Sequence, residues 1–411
     1  MNLKKNVIWN TLGNIYYLAA QWLTTVLIIR LTGNYRDSGL YSVAMSLSNV
    51  FCIIASYNVR NFQTSDLRNQ FSNFDYIIQR LTTIALAMLS CVIFTLASYD
   101  DIYKILIITS YTLFRVGESL VDVFHGIDQK LYRMDIVGLS YILRGTCVLG
   151  FFCAFEIITH NLLITILAMA IGTYSIIFIF DIKQTSTIER IKGILNLSQI
   201  KGIYVSCFPM LLYGVALNVT SSIPRFLAEK MLGAELLGYY SSVATPAVIV
   251  QSLLNVIFTP FIGTITRCYE EKKKKSFYAV IIKLIVFCIL VGCLALAGSM
   301  LVGKWIIVDV LYKDKRLVQF CYLLNSTMVC TSIMAIIWLF AILLTITRSM
   351  YLLSFATIIG MGAEALLGYV LILYYGLDGI NLSLIISYIL IIIIMVFSFI
   401  LKSRKNFRVD K

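Results

Sequence analysis

Apolar residues in this chain come in runs of about twenty, with short polar stretches between them. The runs fall at approximately 6–30, 38–59, 76–98, 102–124, 134–157 and 161–181, then at 203–228, 236–262, 277–300, 318–346, 350–375 and 378–401. They do not alternate every second residue over about ten positions, as a membrane barrel strand does, so each is expected to be a helix. About twenty helical residues span the hydrocarbon of a bilayer, where every backbone group must find its partner inside the protein. The pattern predicts an all-α membrane protein of about 12 transmembrane helices. The first run continues to about Ile29 without a small-residue cleavage site, and reads as a retained span.

One sizeable polar break, 182–202, carries Lys183, Glu189, Arg190, Lys192 and Lys201 and divides the runs six and six. The expected organisation is an N-terminal six-helix bundle at 1–181, a cytoplasmic linker at 182–202 and a C-terminal six-helix bundle with a basic cytoplasmic tail at 203–411. The halves share a local pattern. Leu31-Thr-Gly33 then Gly39-Leu-Tyr41-Ser42 joins spans one and two, and Leu232-Gly233 then Gly238-Tyr-Tyr240-Ser241 joins spans seven and eight. An internal repeat of this kind is common in transporters.

Composition agrees with lipid as the solvent. Hydrophobic residues make up 59% and charged residues 13%, with a mean hydropathy of +0.86, against about 25% charged in an ordinary soluble domain. The net charge of +13 is expected to reflect topology rather than nucleic acid. With both termini cytoplasmic, Arg60, Arg68, Arg80, the 182–202 linker, Lys272–Lys275 and the tail from Lys402 all fall inside, as the positive-inside rule requires. Lys304, Lys313, Lys315 and Arg316 are the exceptions. The 10 cysteines are scattered singly and there are only 2 histidines, so no disulfide, metal or cofactor is expected. Walker, G-x-S-x-G and H-E-x-x-H motifs are missing, and no loop exceeds about twenty residues, which argues against an enzyme.

The informative residues are therefore the polar ones within spans, where a charge is costly and faces a cavity or a partner. Arg115, Glu118, Asp122 and His125 in span four are spaced three, four and three apart, which places them on one helical face. They are expected to point inward, toward Arg144 on span five. Two readings stay open: an ion-pair network joining those helices, as in Glu118 with Arg144, or a face that also meets solvent or substrate. Arg60 after span two reads either as a cytoplasmic anchor or as a cavity residue. Arg225 follows Pro224 in span seven, and Glu364 is an acid in the middle of span eleven, either protonated or a proton or cation site. The 4 prolines, Pro209, Pro224, Pro246 and Pro260, all lie in spans seven and eight. They predict either static kinks or broken helices lining a cavity.

Several motifs resemble a known family. Asn10-x-x-Gly13, Arg30-Leu-Thr-Gly33, Gly39-Leu-Tyr41-Ser42, Arg60-Asn61, Gly376-Leu-Asp-Gly379 and the segment Gly126 to Asp135 with Ser140 and Arg144 are similar to those of the polysaccharide repeat-unit flippases. These are the Wzx-type members of the multidrug/oligosaccharidyl-lipid/polysaccharide (MOP) exporter superfamily. The resemblance spans the chain and implies two six-helix bundles related by pseudo-symmetry around a central cationic cavity, working by alternating access. It implies a cargo of undecaprenyl-pyrophosphate-linked oligosaccharide carried from the cytoplasmic to the outer leaflet of the plasma membrane. Implied partners are that lipid, membrane lipids, a coupling ion (H+ or Na+) and a polysaccharide polymerase. Arg60, Arg115, Arg144 and Arg225 would bind the substrate, because a guanidinium fork suits phosphate oxygens. Glu118, Asp122 and Glu364 would tune them or carry the ion. The chain departs from the family at Pro224-Arg225, where members often carry an acidic-basic pair. A cation-coupled multidrug or metabolite exporter of the same fold is the alternative. It is disfavoured because no acid lies between Lys5 and Arg30, where drug antiporters often couple.

Overall fold

A computed structural model describes residues 3–66, 70–189, 193 and 195–406. Arg68, Arg190 and Lys192, and the tail beyond residue 406, lie outside the described residues. The described chain is helical throughout. In its first part run α1 (Leu3–Thr32), α2 (Tyr35–Ser56), the short α3 (Val59–Ser65), α4 (Asn73–Ser98), α5 (Ile102–Lys130), α6 (Met134–Thr159) and α7 (Leu162–Ile176). A five-residue π turn, Ile177–Asp181, leads from α7 into α8 (Ile182–Ile188). Then come α9 (Leu197–Leu232), α10 (Ala234–Glu270), α11 (Lys274–Trp305), α12 (Leu323–Ile346), α13 (Met350–Tyr375) and α14 (Leu377–Asn406). Counting α7 with α8, these give the twelve expected long helices. Ten of them are long and apolar enough to cross a membrane; α5, with Arg115, Glu118 and Asp122 in its middle, and α10 are the other two.

Local sequence explains where the helices begin. Asn34 caps α2 by accepting from the Arg36 amide at 2.9 Å, and Ser72 and Asp75 form a capping box at α4. Asp101 and Asn161 cap α5 and α7 in the same way. Gly33 and Gly233 occupy matching turns, α1–α2 and α9–α10, with φ of +64° and +91°. Both values favour glycine, so the turn repeated in the sequence places a positive-φ glycine at the same point of each half.

The chain forms two compact units, Met1–Asn218 and Val219–Lys411. The division falls within α9, beyond the 182–202 segment at which the sequence divides the runs. The early part of α9 belongs to the first unit because Ile203 and Cys207 are buried with Tyr57, Tyr76, Val123, Phe124 and Ile127. In that unit α2 packs on α4 and α5, α5 on α4 and α7, and α6 on α1 and α7. The second unit repeats the order: α10 packs on α11 and α12, α12 on α11 and α14, and α13 on α14. A Cβ placed on Gly368 of α13 would touch Leu227 of α9, the counterpart of the α1–α6 contact.

The α1–α6 contact is the tightest in the first unit. A Cβ built on Gly13 would overlap the backbone of Gly138, and one on Gly138 would overlap the backbone of Trp9. Small residues allow this approach, which is how membrane helices associate without a hydrophobic driving force. The prolines do not interrupt their helices. α9 is continuous over 36 residues through Pro209 and Pro224, and α10 over 37 residues through Pro246 and Pro260. Each proline deletes one amide from a long ladder, which bends a helix without ending it when the neighbouring turns remain bonded. The prolines thus leave no broken helix here.

Candidate functional site

α5 carries the site. Its stripe turns Arg115, Glu118, Asp122 and His125 into a cavity of about 450 Å³ within the first unit, and Arg60, Arg144, Tyr17, Gln21, Tyr141 and Asn58 complete the lining. Arg60 arrives there through a backbone break. α2 stops at Ser56, then Tyr57 and Asn58 both take φ of 51° before α3 begins. Left-handed backbone is rare for tyrosine, and both side chains are anchored. Asn58 Nδ2 donates to the Met210 carbonyl at 2.9 Å, and the Tyr57 ring packs edge-on against Tyr204. This elbow turns α3, and with it Arg60, toward α5.

Two ion-pair systems share the cavity wall. Arg115 Nη1 lies 2.6 Å from Glu118 Oε2, one turn along, and Arg115 Nη2 donates to Asn49 Oδ1 at 3.1 Å. Glu118 also accepts hydrogen bonds from the Tyr17 hydroxyl and the Gln21 amide of α1. One turn deeper, Asp122 is shared. Arg60 Nη1 meets its Oδ1 at 2.8 Å and Arg80 Nη2 its Oδ2 at 3.3 Å. Arg144 takes neither acid as a hydrogen-bond partner. Its guanidinium lies over the rings of Tyr17 and Tyr141, 4.9 and 5.2 Å from their centroids, and its Nε donates to Ser140 at 3.3 Å. The Arg144 Nη2 atom is buried without a hydrogen-bond partner. Glu118 therefore pairs with Arg115 on its own helix, and the expected ion pair from α5 across to Arg144 on α6 does not form.

Three guanidinium groups and two carboxylates line the cavity, an excess of one positive charge. Arg80 stands behind Asp122 and raises the excess. Arg80, which its sequence position places among the cytoplasmic cations, is fully buried, and it also donates to the Ala55 carbonyl at 3.0 Å. Arg80 thereby holds both Asp122 and the end of α2 next to the elbow. Tyr17 and Gln21 were missed because single polar residues in an apolar helix look unremarkable. Their spacing of four, which puts both on one face, is the signal that was present.

The other two candidates belong to the second unit. Arg225 on α9 and Glu364 on α13 both lie within electrostatic reach of Tyr240 and Tyr388. Glu364 is fully buried beside Ser383 and Ser387 of α14.

The shared acid gives a direct test. In Asp122→Asn, Arg80 keeps its charge in a fully buried position and loses its only acidic partner among the described residues. The expected loss is about 2–3 kcal/mol, the scale of a hydrogen bond to a charged group. Arg60 is 24% exposed, so Arg60→Ala is expected to lower stability less. Thermal midpoints of the two purified variants check the order.

Comparison with known proteins agrees with this architecture. No family model matches the chain. A capsular polysaccharide biosynthesis protein, CapF of Staphylococcus aureus, is 25% identical over 304 residues, covering 73% of this chain and 75% of CapF. The inward-closed structure of the lipid II flippase MurJ superposes with a TM-score of 0.73 at 12% identity, covering 97% of this chain and 90% of MurJ. An inward-facing multidrug resistance MATE family transporter of the MOP superfamily gives 0.72 at 10% identity, covering 99% and 100%. The two structural neighbours are a flippase and a transporter. The chain is a multi-pass membrane protein with the fold of the MOP-superfamily transporters, as the sequence resemblance implied.

Proposed function

We propose that this chain is a flippase that carries undecaprenyl-pyrophosphate-linked oligosaccharide repeat units, of a capsule, O-antigen or related surface polysaccharide, from the cytoplasmic to the outer leaflet by alternating access. The observation that supports it most is the cationic cavity around Arg60, Arg115 and Arg144, embedded among membrane helices. A diphosphate carries several oxygens that accept paired N–H donors, and a guanidinium offers two in parallel. The free Nη2 of Arg144 is a donor available for that purpose. The saccharide would occupy the wet side of the cavity while the polyprenyl tail stays in the bilayer. Arg225 would be a further substrate-binding cation on the second unit, and Glu118, Asp122 and Glu364 would tune the cations or carry a coupling ion, H+ or Na+. The capsular relative supports the cargo class.

On this reading the protein sits in the cytoplasmic membrane with both termini and the 182–202 segment inside, and a polysaccharide polymerase takes the flipped unit. A cation-coupled drug or metabolite exporter is the second reading, favoured by the MATE likeness. Deleting the gene separates them. The expected result is loss of surface polysaccharide, retention of lipid-linked units on the cytoplasmic face and unchanged drug sensitivity. Raised drug sensitivity with normal polysaccharide would select the exporter.

A further inference from the structure

Behind the cavity wall lies a second group of polar side chains. On α5, His125 and Asp128 are three residues apart and share a face; across from them Asp181, at the end of the π turn, and Thr185, on α8, are four apart. His125 Nε2 is 3.4 Å from Asp181 Oδ1 and 3.1 Å from Ser140 Oγ, and the Thr185 hydroxyl donates to Asp128 Oδ2 at 3.1 Å. None of these side chains is more than 1% exposed. Neither oxygen of Asp181 accepts a hydrogen bond, and Asp128 Oδ1 accepts none. The two carboxylates are also within electrostatic reach of each other.

We propose that Asp181, His125 and Asp128 form a proton-binding site connected to the cavity through the His125 imidazole. A buried ionised carboxylate without donors is far costlier than a neutral one, and two side by side are costlier still. One exchangeable proton relieves this, shared by the carboxylate pair and able to pass from Asp181 Oδ1 to Nε2 of His125, 3.4 Å away. The surroundings decide where it rests. Arg144 of α6 and Arg60 of α3 face His125 and oppose a positive imidazole, and the Tyr141 ring packs edge-on against it at 5.2 Å. Arg133 and Asp135, at the start of α6, face Asp128 with opposite signs. With the cavity empty, the proton stays on the carboxylate. An anion drawn against Arg60 and Arg144 cancels their repulsion and lets the imidazole take it. The π turn adds backbone width where Asp181 needs to reach α5, a common use of such turns at functional positions. That this proton drives export rests on the flippase reading; the site itself does not.

Infrared difference spectra of the full-length protein in lipid vesicles, taken across a step from neutral to alkaline pH, test the site. The wild type is expected to show a protonated carboxyl band that disappears on the step, and Asp181→Asn to lack that component. His125→Gln, which keeps the acids, is expected to move the pH at which the band disappears. An Asp181→Asn spectrum identical to the wild type, or a His125→Gln band with an unmoved midpoint, overturns the proposal. Neither saccharide nor carrier lipid enters the measurement, so its failure leaves the flippase reading standing.

Discussion

Replacing Arg115 and Arg144 together by alanine is expected to reduce export of the lipid-linked saccharide by about a hundredfold or more, with the protein still present in the membrane. A hydrogen bond to a charged group contributes about 1.5–3 kcal/mol, and about 1.4 kcal/mol is a factor of ten. Loss of one such bond from each arginine therefore reaches that range. The two single variants should differ in kind. Arg115→Ala strands Glu118, which keeps only Tyr17 and Gln21 as partners. Arg144→Ala strands no acid, because its guanidinium lies on the Tyr17 and Tyr141 rings. Its loss removes the two ring contacts and the Ser140 bond but leaves no carboxylate unpaired, so the stability cost should be that of packing while export falls. Arg144→Lys separates charge from shape: a lysine keeps the positive charge and loses the planar fork, so partial export is expected. Surface polysaccharide measured against membrane-inserted protein provides the readout. Full export in a well-expressed double variant would remove both residues from the cargo's path.

The second large effect concerns assembly. Gly138→Val is expected to lower stability by about 3 kcal/mol, the upper part of the range for forcing extra carbons into a filled contact. The atoms that would have to give way are the backbone of Trp9 and Asn10, which cannot rotate aside as a side chain can. Gly13→Val presses on the same contact from α1, against the backbone of Gly138. The double variant is expected to cost much less than the sum, since the helices separate only once. A Cβ at Gly150 on the same helix meets no atom within 4 Å, and Gly150→Val is the matched control. Thermal midpoints of the four purified variants check this; equal values for Gly138→Val and Gly150→Val would refute it.

Much of this was legible in the sequence because membrane burial is demanding. Twelve apolar runs gave twelve long helices, and the spacing of Arg115, Glu118, Asp122 and His125 was enough to gather them on one cavity wall. What remained hidden depended on partners far away in sequence. Arg80 looks like a loop cation because it lies close to the polar segment before its run; α4 starts at Asn73, which places it two turns inside the helix. The pairing of Glu118 turned on Tyr17 and Gln21, about a hundred residues earlier, and no local pattern links those positions. Asp181 reads as the ordinary end of a span, because nothing in its neighbours announces a π turn.

Asp122, held between Arg60 and Arg80, and Glu118, held by Arg115, have a consequence for the unloaded protein. Each acid occupies its arginine much as a phosphate oxygen would, so Arg144 is the one lining guanidinium without an acidic hydrogen-bond partner among the described residues. An arriving headgroup must displace these tethered stand-ins, and a departing one is replaced by them at once. On the flippase reading, the return step would then carry two of the three lining guanidiniums already paired, and loose anions of lower valence would gain little by entering.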